Sequence, residues 1–362
     1  MTAPSPDVVV IGAGAVGALC ALELAERGQR VLIVDAGDPC RGTSGATFSW
    51  AAAHSKEPLA YHRFTRQAIA LHPDLGARLG VDLEWRPCFS LYAELDEADC
   101  TVRREAIQRK VEEGYALAWL DGQQARELAP QLAVGVLGAS LSKDEGTLNA
   151  FRLVLGALDA AVRQGAAARY REAVLVIERD ARGVCAVVTD RGRIPCRRVV
   201  VAAGERAGAL LEGVGLRIPL LRVKGELLVT EPWHERLPGV VADVQQTPSG
   251  NLLLGVTWEP GSQDTDASAH NLRATAQRVC RVLPFMEQVR VIRAFSGVRP
   301  VPHDMVSYLG PTRHCPGLVV ALTHSGITLA PLLACVVADA FDGATHAAWH
   351  PSFCPDRALE VL

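Results

Sequence analysis

The run Gly12-Ala13-Gly14-Ala15-Val16-Gly17 follows the β-branched stretch Asp7 to Ile11, and Asp35 closes the next apolar stretch, Arg30 to Val34. Glycines at these spacings suit a bound diphosphate. Gly12 permits a tight turn, Gly14 lets phosphate approach the backbone, and Gly17 lets a helix pack closely on its strand. The Ala/Leu/Glu segment to Arg27, ended by Gly28, reads as that helix with its C-terminal glycine. Its N-terminus offers free N–H groups and a positive dipole end, worth about 0.3 to 2 kcal/mol per phosphate charge. Asp35 is placed to accept from ribose hydroxyls, and its carboxylate repels a 2′-phosphate, which disfavours NADP. The motif does not by itself separate NAD from FAD.

Positioning these residues takes a parallel strand–helix–strand unit of about 30 residues. Beyond it, Arg41-Gly42-Thr43-Ser44-Gly45-Ala46-Thr47 is rich in small and hydroxyl residues and reads as a ligand-facing loop. A helix is expected from Pro58 to Leu79, charged helical pieces at Asp96 to Glu113 and Gln123 to Leu128, and another helix from Asn149 to Gln164. Ala173 to Ile177, Ala186 to Val188 and Arg197 to Val201 read as strands, the last running into Ala202-Ala203-Gly204. Leu227 to Thr230 and Leu252 to Gly255 bracket a turn at Pro248 to Asn251, giving antiparallel strands away from the parallel core. Alternation of the two patterns implies a nucleotide domain interrupted by a sheet-based one.

Composition narrows the function. The chain has 362 residues, 49% apolar and 21% charged, with 37 basic against 40 acidic side chains and a net charge of −3. That is one large or two interleaved globular domains. Nothing in it is the cationic cluster that counterion release on nucleic acid requires. The ten cysteines stand singly with no CxxC pair, which reads as reduced thiols in a cytoplasmic protein, without metal. Gly317 to Phe341 is apolar but holds His324, Ser325, Gly326, Pro331 and Asp339, so a strand, a glycine turn and a buried helix fit it better than a membrane span. The N-terminus lacks the basic segment of a signal peptide.

Taken together, Val8 to Gly45, Val199 to Gly204, Gly297-Val298-Arg299-Pro300 with Asp304, and Gly317 to Pro331 resemble the FAD-dependent D-amino-acid oxidase, glycine oxidase and sarcosine oxidase family, in its order and over nearly the whole chain. The resemblance implies an α/β fold: a Rossmann-like FAD-binding domain of the glutathione-reductase type from 1–80, 141–219 and 296–362. An interleaved antiparallel-sheet substrate domain, 81–140 and 220–295, would roof the flavin. Gly12 to Gly17, Asp35, Ala36, the Arg41 to Thr47 loop, backbone at Val174, Ala203, Gly204 and Gly297 would hold FAD. Thr323-His324-Ser325-Gly326-Ile327-Thr328 would set a helix N-terminus at the flavin pyrimidine, favouring reduction. Arg299 would pair with the substrate carboxylate and also border the flavin. His324 is either a base or a flavin contact. His54 and Lys56 are expected to line the same cavity.

The implied reaction moves hydride from the carbon of a neutral amine in an amino or imino acid to flavin N5, and water hydrolyses the imine. Oxygen, a quinone or a partner subunit would take the electrons, and the enzyme would be a homo- or hetero-oligomer. Two departures stand out. Glu235 to Gly250 has no Tyr where family oxidases often place one, leaving Val244 and Gln246 as the substrate-facing candidates. No Cys lies between Val298 and Thr312, so FAD is expected to be noncovalent; Cys315 follows. Three other readings stay open: the FAD-carrying subunit of a multi-subunit opine- or hydroxyproline-type dehydrogenase, a flavin-bound interaction protein without catalysis, and an NAD-dependent dehydrogenase, which leaves 317–331 unexplained.

Overall fold

Every side chain of the strand Val8–Ile11 is buried, as a strand covered on both faces requires. In the computed structural model, which describes residues 5–255, 257–262 and 264–361, this strand lies inside a six-stranded sheet. The order across it is Tyr308–Pro311, Leu318–Leu322, Val199–Val201, Val8–Ile11, Val31–Asp35 and Ala167–Tyr170. All neighbours run parallel except Tyr308–Pro311, which is antiparallel to Leu318–Leu322. Segments from both ends of the chain therefore share one sheet.

One face of this sheet is covered by the helices Ala15–Glu26, Ala150–Arg163 and Gly326–Phe341, whose Leu19, Leu22, Leu153 and Leu333 join its core. The other face meets an antiparallel three-stranded sheet, Val174–Asp180, Gly183–Thr189 and Gly192–Pro195, and the short helix Ala207–Glu212. Side chains between these layers, such as Val9, Val187 and Leu211, are fully buried.

The second large sheet is mostly antiparallel. Its path runs Glu259–Pro260, Leu220–Pro232, Asn251–Leu254, Val244–Gln246, Val240–Val241, Arg86–Glu94, Gly138–Thr147 and Trp50–Ala51. Val291–Pro302 adds to Leu220–Pro232, and Leu117–Asp121 to Gly138–Thr147. Leu91, Leu141, Leu252 and Val279, the last from the helix Ala269–Val282, pack into its core.

Several elements differ from the sequence reading. The helix expected over Pro58 to Leu79 is two, Leu59–Ala70 and His72–Leu79. Pro73, lacking an N–H, sits in the first turn of the second and cannot continue the first. Leu228 and Val229 pair antiparallel with Leu254 and Leu253 as expected, but the turn before Asn251 joins Val244–Gln246, not Leu227 to Thr230, to Asn251–Leu254. Leu220–Pro232 is longer than its apolar run because Lys224 is buried with Glu226 at 3.2 Å and paired to Asp264 at 2.7 Å. The boundaries expected at 141 and 296 fall inside Gly138–Thr147 and Val291–Pro302, strands of the second sheet. No helix among the described residues is long and apolar enough to cross a membrane.

Candidate active site

The glycine run closes on itself by contacts that admit no larger residue at two of its three positions. Gly12 has φ +112°, and a Cβ there would stand 2.4 Å from the Ala202 carbonyl oxygen. A Cβ on Gly17 would stand 1.9 Å from the carbonyl oxygen of Gly12. Gly14 differs: its Cβ would meet only Ser44, with Oγ at 3.0 Å. Ser44 Oγ accepts from the Ala15 N–H at 3.1 Å, and Asp35 accepts from the N–H groups of Ala13 and Gly37 at 2.6 and 2.7 Å. Asp35 thus ties the loop to its second strand as well as facing the opening beside it.

That opening is a cleft of ≈ 920 Å³ running from the glycine loop to the second large sheet. Of the residues singled out in the sequence, Gly12, Ala13, Gly14, Ala15, Val16, Asp35, Ala36, Arg41, Gly42, Thr43, Ser44, Ala46, Thr47, Val174, Ala203, Gly204, Gly297, Arg299 and Lys56 line it, as do His324, Ser325, Gly326, Ile327 and Thr328. Gly17 and Gly45 do not; their space is filled by the Gly12 and Cys40 carbonyls, so they shape the loop from behind. Thr43 Oγ1 donates to the Val298 carbonyl, and a Cβ on Gly297 would lie 2.7 Å from Ala46 Cβ, which docks the loop onto the second sheet.

Two helix N-termini meet at this cleft. Ala15–Glu26 begins at Gly14 and Gly326–Phe341 at Ser325, neither with a side-chain cap from its own first residue, and Val16 lies 3.5 Å from where a Gly326 Cβ would be. Apart from the Ala15 N–H, which Ser44 takes, the first-turn N–H groups of these converging dipole ends favour an anion between them.

Lys56 reaches Ser325 Oγ at 2.6 Å and His324 Nε2 at 3.1 Å. With the ammonium donating to Nε2, the imidazole proton belongs on Nδ1, a buried atom with no partner among the described residues. Burial, reinforced by the Lys56 and Arg299 charges, holds His324 well below the usual histidine range, so it is a neutral donor rather than a cation. Burial lowers Lys56 to about 8 against the opposing pull of the Glu145 carboxylate.

Arg299 and Gly297 sit on Val291–Pro302, opposite Val223 and Gly225 of Leu220–Pro232. The guanidinium crosses diagonally over Gly225, where a Cβ would stand 2.0 Å from its Nη2. It donates to the Thr257 carbonyl at 3.3 Å and lies 5.5 Å from the centre of the Trp258 ring. No acid pairs with it among the described residues, and burial alone lowers its pKa.

Three expected substrate-facing residues are placed elsewhere. His54 is buried, its ring held between Ser90 Oγ at 2.7 Å and Ser140 Oγ at 2.9 Å, behind the cleft wall. Val244 is wholly buried in the core of the second sheet. Gln246 spends its amide on the Trp233, Glu235 and Gly250 carbonyls and accepts from Leu237 N–H, which fixes the hairpin. The cleft instead receives Tyr92, Trp50 and Trp258, which the sequence reading did not single out. Tyr92 is raised well above the usual phenol range by burial, then by Asp243, itself on a two-residue turn with positive φ at Ala242 and Asp243. Tyr92 lies on the strand Arg86–Glu94, and its approach to Asp243 follows only from the pairing of that strand with Val240–Val241. Cys315 is buried in the core of the first sheet and does not line the cleft.

The chain matches the family described as DAO, FAD dependent oxidoreductase, over residues 7–340. It is 32% identical to a glycine oxidase of Geobacillus kaustophilus (strain HTA426), covering 92% of each chain. It is 30% identical to an opine oxidase subunit of Agrobacterium tumefaciens (strain Ach5), again over 92% of both. The crystal structure of glycine oxidase from Geobacillus kaustophilus superposes with a TM-score of 0.90 at 28% identity, covering 97% of this chain and 98% of that one. With its glycine loop, its paired helix N-termini and this match over most of its length, the chain belongs to the DAO family of FAD-dependent oxidoreductases, the FAD-dependent amino-acid oxidases and dehydrogenases.

Proposed function

We propose that this enzyme oxidises an amino or imino acid at the carbon–nitrogen bond, using noncovalently held FAD and Arg299 to seat the carboxylate beside the amine. The observation that carries the reading is an Arg with no acidic partner among the described residues, facing the same cleft as two helix N-termini. The residues fit the cofactor. Gly14 leaves the approach to the helix Ala15–Glu26 open, as a diphosphate needs, and the segment Arg41 to Thr47 lines the cleft beside it. His324 supplies a buried N–H in want of an acceptor, which the flavin would provide. Val174, Ala203 and Gly204 line the cleft and would hold the nucleotide, and Ser325 to Thr328, also in its lining, would border the ring. With Cys315 in the core, noncovalent binding is the reading the cleft supports.

When bound, FAD supplies the acceptor for the hydride on the carbon bearing the amine, and water hydrolyses the resulting imine to an oxo acid and an amine. Arg299 orients that carbon by holding the carboxylate, a gain in alignment rather than in covalent chemistry. Lys56 and Arg299, both cationic, disfavour an ammonium near them and so favour the neutral amine that hydride loss requires. The helix N-terminus at Ser325 stabilises negative charge that develops nearby.

Anaerobic addition of glycine, sarcosine, proline and D- or L-amino acids to the FAD-loaded enzyme tests this. At least one should bleach the flavin absorbance, and Arg299→Ala should raise its KM at least tenfold, about 1.4 kcal/mol, with the flavin spectrum retained. Failure of every donor to bleach, or an unchanged KM, overturns the reading. The kinship with the opine oxidase subunit favours a second form of it, in which the chain passes electrons to a partner protein or a quinone rather than oxygen. Slow reoxidation of the bleached enzyme in air would support that form.

A further inference from the structure

The end of the cleft beside the second sheet holds more positive charge than a single carboxylate needs. Lys56 follows the strand Trp50–Ala51 and Arg299 lies on Val291–Pro302, both strands of that sheet. Lys56 is buried, and its contacts are the neutral His324 at 3.1 Å and Ser325 at 2.6 Å. Arg299 contacts the Thr257 carbonyl and the Trp258 face. Neither is ion-paired among the described residues.

The acids that line the cleft are engaged elsewhere. Asp35 holds the glycine loop through the N–H groups of Ala13 and Gly37. Asp38 pairs with Arg171 at 2.8 Å, and Glu205 with Arg222 at 3.1 Å. Glu145 acts on Lys56 through space, but its Oε1 accepts from the Ala53 and His54 N–H groups, it does not line the cleft, and burial raises its pKa. A buried ammonium without a carboxylate partner is costly unless a ligand provides one.

Resting on the function proposed above, we infer that Lys56 and Arg299 receive two carboxylates of one substrate, so that the oxidised amine lies between two carboxylate-bearing arms, as in an N-(carboxyalkyl) amino acid. Arg299 takes the carboxylate beside the carbon that loses hydride. Lys56 takes the carboxylate on the other arm and so selects against amino acids that have none. His324 and Ser325 hold the Lys56 ammonium in place for that contact.

The test compares iminodiacetate with sarcosine, which share the reacting N–CH2–COO⁻ unit and differ in the second carboxylate. In the FAD-loaded wild type, kcat/KM for iminodiacetate should exceed that for sarcosine at least tenfold. Lys56→Gln should shrink that ratio by about 10- to 100-fold, and Lys56→Arg should keep a substantial part of it. Thiodiglycolate, which keeps both carboxylates and replaces the amine by sulfur, gives a reading free of turnover. Its perturbation of the flavin spectrum should titrate more tightly than that of methylthioacetate in the wild type and in Lys56→Arg, but not in Lys56→Gln. A ratio near unity in the wild type, or one that Lys56→Gln leaves unchanged, overturns the second-carboxylate site while the oxidase reading stands. Lysine-dependent thiodiglycolate binding with no donor bleaching the flavin leaves the anion site standing and sinks the oxidase reading. Should Lys56→Gln lose FAD instead of discrimination, while Lys56→Arg binds FAD without the wild-type preference, Lys56 serves the cofactor and the inference fails.

Discussion

Gly225 is where a single methyl group should separate substrate capture from everything else the enzyme does. The Arg299 guanidinium passes directly over it: a Cβ at Gly225 would stand 2.0 Å from Nη2, 2.5 Å from Cζ and 2.6 Å from Nη1. Ordinary contact between such atoms is about 3.5 Å, so Gly225→Ala must push the head of Arg299 aside by about 1.5 Å. The obstruction is the far end of a flexible side chain, and the strand pairing of Gly225 with Gly297 has no need of glycine's backbone freedom, so the fold should survive. What is lost is alignment. A charge-assisted hydrogen bond contributes about 1.5 to 3 kcal/mol, which becomes an increase of about 10- to 150-fold in KM. Steady-state kinetics on the best amine donor, with FAD content read from the visible spectrum and stability from thermal unfolding, would measure all three properties. KM within a factor of two of the wild type, with FAD bound and the fold intact, would refute the assignment of Arg299 to the carboxylate.

Three further outcomes are expected. At Gly14 a Cβ would meet only Ser44, and Gly14→Val adds two further methyl groups beside the cleft, so it should fold yet bind FAD at least tenfold more weakly by flavin titration, about 1.4 kcal/mol; Gly17→Ala, driven into the Gly12 carbonyl, should instead lose thermal stability. A Gly14→Val protein with wild-type FAD affinity would argue against a diphosphate at this helix. His54, lowered to about 3 chiefly by burial and further by Arg103, Lys110 and His62, stays neutral when folded but takes a proton near pH 6.5 when unfolded. Its contribution to stability is therefore present above pH 6.5 and is lost as pH falls toward 3, at about 1.4 kcal/mol per pH unit. The Tm of the wild type should drop more steeply than that of His54→Asn between pH 6.5 and 4; parallel curves would remove His54 from this role.

Local chemistry in this chain was legible where a residue's job depends on its neighbours in sequence. The glycine run, Asp35, the loop Arg41 to Thr47 and the strand Leu318–Leu322 all announce themselves by spacing and side-chain size, and the segments they predict border the cleft. His54 and Gln246 were misplaced because their partners, Ser90 and Ser140 for one and three carbonyls of a hairpin for the other, become neighbours only after strands pair. Tyr92, on the strand Arg86–Glu94, and Trp258, in the loop before Glu259–Pro260, were missed for the same reason, since neither residue type nor spacing tells whether an aromatic faces core or ligand. Lys224 hid a strand because its charge is cancelled by Glu226 and Asp264, a pairing no periodicity reveals. Arg299 was found through the motif around it, whereas the empty space of Gly225 beneath it follows only from the diagonal register of two strands.

The order of strands in the first sheet also constrains how this enzyme comes into being. Leu318–Leu322 bonds directly to Val199–Val201, which bonds to Val8–Ile11, and the helix Gly326–Phe341 lies against Ala15–Glu26. A ribosome delivers the glycine loop first and its counterpart at Ser325 some three hundred residues later. Until that late segment emerges, Val199–Val201 has one flank unsatisfied and the cleft lacks the wall that Ala321 to Thr328 give it. Maturation is thus bound to synthesis of this late segment: a nascent chain stalled before residue 318 would leave apolar surface of the first sheet uncovered, and the cleft takes its shape only once residues 318–328 are in place.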